Sequence, residues 1–265
     1  MRVYIMTDME GVAGVVNAED YTSPTSRYYE VGRELATMEA NAAIEGCLEA
    51  GASDILVVDG HGCGAMDWKL LHPAARLLTG RPMGYPFGCS RDVDAALIVG
   101  QHAKANTDGG HLCHTGSFDV DERTVNGVTL GELGVNMLFI AYYGVPTVMV
   151  SGDVACCNEA HALVPNVATA AVKEGLKRGA AVGLTAEENQ AYNGAAIHLG
   201  AEEARAMIRR AALDGVQRRT EIASYWLEPP YEMTYVWRPS QGRSGHTATI
   251  RAGDLMELLT KPAGR

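Results

Sequence analysis

Aromatic side chains are scarce in this 265-residue chain, at 6%, with three Phe and three Trp. That scarcity argues against an aromatic-rich β-sandwich. Thirty Gly and plentiful Ala favour tight helix-on-sheet packing instead. The six cysteines include no CxxC pair, and Cys156 and Cys157 are adjacent, which suits neither a zinc knuckle nor an ordinary bridge. They read as reduced thiols of a cytosolic protein. No run reaches the ~18 apolar residues needed to span a bilayer. Met1 leads directly into an apolar strand, without the basic region, apolar stretch and cleavage site of a leader. A cytoplasmic location is therefore expected. Positive charge is in deficit, with 22 Lys+Arg against 32 Asp+Glu and a net charge of −10. Such a surface repels phosphate backbones and anionic lipid, so neither nucleic acid nor membrane is an expected partner. No internal repeat or low-complexity segment is present.

What remains is ordinary globular sequence, 47% hydrophobic and long enough to bury a large core. Residues 3–7, 55–58, 95–99 and 147–150 are short apolar, β-branched runs that read as buried strands. Residues 28–50 and 131–143 read as helices, closed by Gly51 and Gly144. Continuously apolar strands alternating with helices predict an α/β fold, a three-layer core with a mainly parallel sheet. Thr185 and Glu188 form a capping box, which predicts a long helix reaching about residue 213, weakened by Gly194 and Gly200. Residues 231–237 and 247–251 alternate in polarity and read as antiparallel or edge strands, and a last helix covers about 254–259. These form a smaller mixed α+β region. The chain reads as one catalytic unit over 1–265, with its α/β core in about 1–180 and a more divergent part in about 181–265.

Three of the strands end in metal-capable side chains: Asp8 and Glu10, then Asp59 and His61, then His102. In open α/β sheets, sites form outside the carboxyl ends of strands. If the three strands are neighbours, these groups converge on one crevice. A single acid at a strand end is commonplace; three strand ends with the same chemistry are not. Carboxylates with imidazoles suit zinc, manganese or cobalt. The donor count exceeds what one catalytic ion with an open position needs, and fits two ions better. Such a pair lowers the pKa of bound water towards ~7 and polarises a carbonyl. Gly60-His61-Gly62-Cys63-Gly64-Ala65 also fits a loose dinucleotide fingerprint, but no Asp or Glu lies between Asp67 and Asp92 to hold a ribose. His72, His161, His198 and His246 lack matching partners and read as structural or surface residues. Asp153 reads as a helix cap.

Taken in order, several short motifs resemble the DppA-type zinc-dependent D-aminopeptidase family. They are Asp8-Met9-Glu10-Gly11, Asp59-Gly60-His61, Gly100-Gln101-His102-Ala103, Gly131-Glu132-Leu133-Gly134-Val135-Asn136 and Val150-Ser151-Gly152-Asp153. Leu163-Val164-Pro165-Asn166 and the segment 168–173 extend the likeness, which covers about residues 1–180 and is thin beyond.

The resemblance implies a dinuclear zinc site. Asp8 would bridge the ions, Glu10 and His61 would complete one, and His102 and Glu132 the other. By itself Glu132 reads only as an acid in the first turn of a helix. The resemblance also implies a catalytic histidine, here His114 in Leu112-Cys113-His114-Thr115, with His111 as the alternative. A neutral imidazole there could serve as general base. The implied activity is an aminopeptidase acting on short peptides or amides with an N-terminal D-residue. The implied assembly is a ring-shaped homo-oligomer, of which a decamer is one form. Competing readings are a related metal-dependent amidohydrolase, an L-peptide aminopeptidase, and a non-catalytic peptide-binding protein.

Overall fold

The computed structural model describes residues 1–81, 83–192 and 194–262. The chain runs through β1 (Arg2–Thr7), α1 (Ala18–Tyr21), α2 (Tyr29–Glu49), β2 (Asp54–Asp59), β3 (Ala75–Leu78) and β4 (Ala95–Gln101). Then come β5 (Val120–Val125), β6 (Val128–Thr129), α3 (Glu132–Tyr142), β7 (Thr147–Asp153), α4 (Val154–Leu163) and β8 (Ala168–Gly175). The remainder holds α5 (Ala186–Tyr192), β9 (Ala196–His198), α6 (Ala201–Gln217), β10 (Tyr231–Trp237), β11 (His246–Ala252) and α7 (Leu255–Thr260).

Seven strands form one sheet in the order β3-β2-β1-β4-β7-β8-β9. All neighbours are parallel except β8 and β9. The sheet grows in one direction from β1 through β2, and in the other from β4 through β7 and β8. Right-handed crossovers in opposite directions put their helices on opposite faces. Accordingly α2 packs with α6 over one face, while α3 and α4 cover the other. This is the three-layer α/β core expected. Strands β4 and β7 are buried at every position, which is why they read as unbroken apolar runs.

Glycine and alanine let the layers approach closely. Helix α2 buries Ala36, Ala40, Ala43, Ile44 and Cys47, the three-and-four spacing of one helix face. A Cβ at Gly46 would lie 2.3 Å from the Arg209 carbonyl oxygen of α6. The helix ends at Ala50, followed by Gly51 with φ +91°.

The second sheet is antiparallel, in the order β11-β10-β5-β6. Strands β5 and β6 precede residue 180 and β10 and β11 follow it, so both parts of the chain build the smaller region. Helix α3 lies between the sheets. Its Leu133, Met137, Phe139 and Ile140 join the main core, while Val135 and Leu138 join a second core with Val125, Met233 and Leu258. A helix buried on two sides must be apolar nearly all round. This double burial fixes the position of Glu132 at its first turn.

The long helix expected over 185–213 is not one element. The capping box exists, with Thr185 N donating to Glu188 Oε2 at 2.9 Å and Glu188 N to Thr185 Oγ1 at 3.2 Å. It starts only the short α5. Strand β9 then pairs with β8 through Lys173–Gly175, and α6 begins after Gly200. Strand pairing outweighs helix propensity across the two glycines. No helix among the described residues is long and apolar enough to cross a membrane.

Candidate metal centre

The sheet order reverses between β1 and β4, and the crevice at such a switch point is where open α/β sheets bind ligands. Register aligns the strand ends, since Thr7 pairs with Asp59 on one side and Val99 on the other. The loops that follow therefore start level with one another. Their backbones are joined directly: Asp8 N donates to Val99 O and Gly11 N to Gly100 O, at 2.9 and 2.8 Å. Gly100 has φ +75°, and a Cβ there would lie 2.5 Å from the Asp8 carbonyl oxygen. Only glycine allows that approach.

Two clusters of donor atoms face each other across this crevice. Asp8, Glu10 and His61 form one, and His102, His114 and Glu132 the other; within each, the donor atoms lie within 4.8 Å of one another. His61 Nε2 is 3.3 Å from Glu10 Oε1. His102 Nε2 is 3.2 Å from Glu132 Oε1 and 3.5 Å from Asp8 Oδ2, so Asp8 lies between the clusters. His114 Nε2 is 3.5 Å from Glu132 Oε1, and its ring stacks on that of His102 with centroids 3.9 Å apart.

The imidazoles share one orientation. The Nδ1 of His102 faces Ala103 O at 2.9 Å, that of His114 faces Leu112 O at 2.8 Å, and that of His61 faces Gly64 O at 3.4 Å. A carbonyl only accepts, so each Nδ1 donates there and each Nε2 is turned to the carboxylates of the cluster, where loss of its proton would free a lone pair for a metal ion. This is how metal-ligating histidines are oriented by their surroundings. Glu10 Oε2 and His102 Nε2 are buried without a hydrogen-bond partner among the described residues. Carboxylates and imidazole Nε2 atoms converge in two sets, and a cation can replace the imidazole protons in balancing the carboxylate charge; such sets fit divalent metal ions of the zinc type.

The electrostatics agree with a site that attracts positive charge. Burial pushes the His102 pKa down, yet Glu132 and Asp8 raise it to about 10. Burial raises the Glu10 carboxyl, but His61 outweighs it and holds the group well below the usual range. His114 behaves differently: burial and the neighbouring His102 lower its pKa, favouring the neutral, basic form.

Several residues hold the site in place, and most were not singled out in the sequence. Gln101 Nε2 donates to Asp8 Oδ2 at 2.7 Å. Gly116 N donates to Glu132 Oε1 at 2.7 Å. Lys173, 2% exposed, donates to the carbonyls of Glu10, Val12 and Val15. Glu39 accepts from Ala13 N and His198 Nδ1 from Gly14 N, at 2.8 and 3.0 Å. The loop that carries Glu10 is thus tied to α2, β8 and β9. A lone lysine directly after the apolar stretch 168–172 was the available signal for Lys173. His198, read as structural or surface, proves to be part of this support.

The remaining candidates lie outside the two clusters. Asp59 Oδ1 accepts from Ala65 N at 2.7 Å and Oδ2 from Thr79 Oγ1 at 3.1 Å, so it shapes the His61 loop. His111 Nε2 lies 3.3 Å from Val16 O, and its ring meets His198 edge-on. Leu112 adopts φ +53°, and this turn places His114, not His111, beside His102. Asp153 caps α4 through Cys156 N and also accepts from His111 N.

A doubly wound α/β chain with paired carboxylate–imidazole clusters at its switch point has the layout of a metal-dependent hydrolase. The sequence profile of the D-aminopeptidase family matches residues 1–242, and the chain belongs to that family. A D-aminopeptidase of Bacillus subtilis (strain 168) is 37% identical over 183 residues, which make up 68% of this chain and 66% of that relative. The chain thus matches just under two thirds of that relative's length. A solved structure, "Zn-dependent D-aminopeptidase DppA from Bacillus subtilis, a self-compartmentalizing protease", superimposes with a TM-score of 0.85 at 26% identity. The match covers 98% of this chain and 94% of that one.

Proposed function

We propose that this chain is a metal-dependent aminopeptidase that hydrolyses short peptides or amides, with preference for an N-terminal D-residue. The observation that carries the proposal is the pair of donor clusters, with Asp8 between them and His114 against His102. In this reading Glu10 and His61 would hold one zinc ion and His102 and Glu132 a second, with Asp8 shared between the two sites. When bound, such ions supply Lewis-acid polarisation of the scissile carbonyl and a nucleophile at neutral pH. His114 is the general base, its Nδ1 committed to the Leu112 carbonyl and its Nε2 available to take a proton. The same imidazole can return that proton to the leaving amine. Gln101 holds the Asp8 carboxylate in place.

Family membership and the name of the solved neighbour support the D-aminopeptidase activity and zinc. The neighbour's description as self-compartmentalizing supports a closed homo-oligomer. The acidic net charge of −10 supports a small-molecule partner over nucleic acid. We place the protein in the cytoplasm and treat residues 1–265 as one catalytic unit.

The test pairs metal analysis with hydrolysis of D-Ala and L-Ala amides by wild type and His61→Ala. The expected result is two zinc ions per wild-type chain, D-selective turnover abolished by a chelator, and loss of metal and activity in the variant. Less than one ion per chain, or full activity in His61→Ala, overturns the proposal.

A further inference from the structure

Beside the metal centre lies a cavity of about 170 Å³, whose lining includes Asp8, Gln101 and Glu132 together with Tyr85, Asn136 and Arg123. It is small against the ~300–1,000 Å³ of pockets that take drug-sized ligands. Asp8 and Glu132 belong to the donor clusters, which leaves Arg123 as the charged lining residue with no part in them.

Arg123 is 8% exposed and projects from β5. Its Nε donates to Leu130 O at 3.2 Å and its Nη2 to Gly131 O at 2.6 Å. The Tyr235 ring lies 5.9 Å from the guanidinium carbon. Two of the five donors of the fork are therefore committed to carbonyls. No carboxylate among the described residues comes within the 4.0 Å of an ion pair. Nη1 makes no hydrogen bond among them. A cation this buried is costly unless an anion compensates it. The other buried arginine among the described residues obeys that rule: Arg238, 4% exposed, pairs with Asp121 at 2.6 Å. The bonds to Leu130 and Gly131 also hold the guanidinium rigid, one residue ahead of Glu132. A fixed planar fork with donors to spare suits a carboxylate.

Resting on the aminopeptidase reading, we propose that Arg123 receives the free C-terminal carboxylate of a short peptide whose scissile bond lies at the metal centre. The site then selects short peptides with a free carboxylate over the corresponding amides. The cavity's small volume and the closeness of Arg123 to Glu132 limit the peptide to few residues. Arg123 is in this view a specificity residue, separate from the base and the metal donors.

The test compares kcat/KM on an alanyl-alanine dipeptide and on its C-terminal amide, both with the N-terminal residue in the D form. Wild type, Arg123→Met and Arg123→Lys are used, each with its metal content measured. Wild type should prefer the free acid by about ten- to hundredfold, the range of one charge-assisted hydrogen bond. In Arg123→Met the ratio should collapse towards one at equal metal content, and Arg123→Lys should fall between. Calorimetry on zinc-loaded wild type and Arg123→Met reads binding apart from turnover: in wild type free alanine should bind at least about tenfold more tightly than alaninamide, and that margin should shrink by as much in Arg123→Met. Equal wild-type rates on acid and amide overturn the proposal and leave the aminopeptidase reading standing. An equal loss on both substrates in Arg123→Met, with metal retained, also overturns it and assigns the arginine to the reacting carbonyl. If metal-loaded wild type cleaves neither substrate, the aminopeptidase reading fails, and the calorimetric comparison still decides for or against Arg123.

Discussion

Replacing Lys173 by methionine is expected to destabilise the fold by on the order of 3 kcal/mol and to weaken metal binding at one of the two clusters. Two effects oppose each other. Burial lowers the Lys173 pKa from 10.5 to about 8, although Asp153 and Glu39 act in the other direction. The gap between those values corresponds to roughly 3 kcal/mol against the charged amine at neutral pH. Methionine removes that cost. Against it stand the three bonds to the carbonyls of Glu10, Val12 and Val15. A hydrogen bond from a charged donor contributes about 1.5–3 kcal/mol, so three contribute roughly 4.5–9 kcal/mol. The bonds win by roughly 1–6 kcal/mol. Because they hold the segment that carries Glu10, the loss should be felt at the Asp8–Glu10–His61 cluster and not at His102–His114–Glu132. Urea denaturation of metal-free protein measures the first part, and zinc titration the second. The expected outcome is a lower midpoint and one of two zinc ions bound at least about tenfold more weakly. A variant within about 0.5 kcal/mol of wild type that still binds both ions normally would refute the reasoning.

Glu39 should make stability depend on pH. Burial raises its carboxyl to about 7, above the ordinary 4.5, against the opposing effects of Ala13 N–H and Lys173. An acid whose folded pKa is raised contributes fully below its unfolded value, and that contribution is lost as pH rises through the folded one. Wild type should therefore lose up to about 3 kcal/mol relative to Glu39→Gln between pH 5 and 8.5; parallel stability profiles for the two proteins would refute this. His114→Ala should keep two metal ions per chain and lose about 10²–10⁴-fold in kcat. Loss of one ion instead would make His114 a ligand. Gly100→Ala should cost more than about 2 kcal/mol, because it combines a positive φ with a Cβ 2.5 Å from the Asp8 carbonyl oxygen. An unchanged denaturation midpoint would contradict the backbone contact.

Much of the layout could be read from local patterns. Strands β1, β2 and β4 are buried on both faces, so their residues appear as short apolar runs, and the change to Asp, Glu and His marks where each run leaves the sheet. Strand β8 was not legible in this way. Three of the five residues of its segment 168–172 are alanine, which is compatible with either period. The helix expected over 185–213 failed for a related reason: pairing of β9 with β8 is a long-range contact that no local pattern encodes.

The same division runs through the site. Asp8, Glu10, His61 and His102 could be proposed from strand ends alone, because strand direction and the switch-point rule need only the order of apolar runs. Glu132 could not, since a first-turn acid looks alike on any helix. Burial of α3 between two cores is what brings it to 3.2 Å from His102. The choice between His114 and His111 depends on the turn at Leu112, and the support of the Glu10 loop depends on Lys173, Glu39 and His198 from three other elements. Residue type and local period depend only on chain neighbours and so survive in the sequence. Which side chains meet across the crevice depends on packing between distant segments, and only the folded chain decides that.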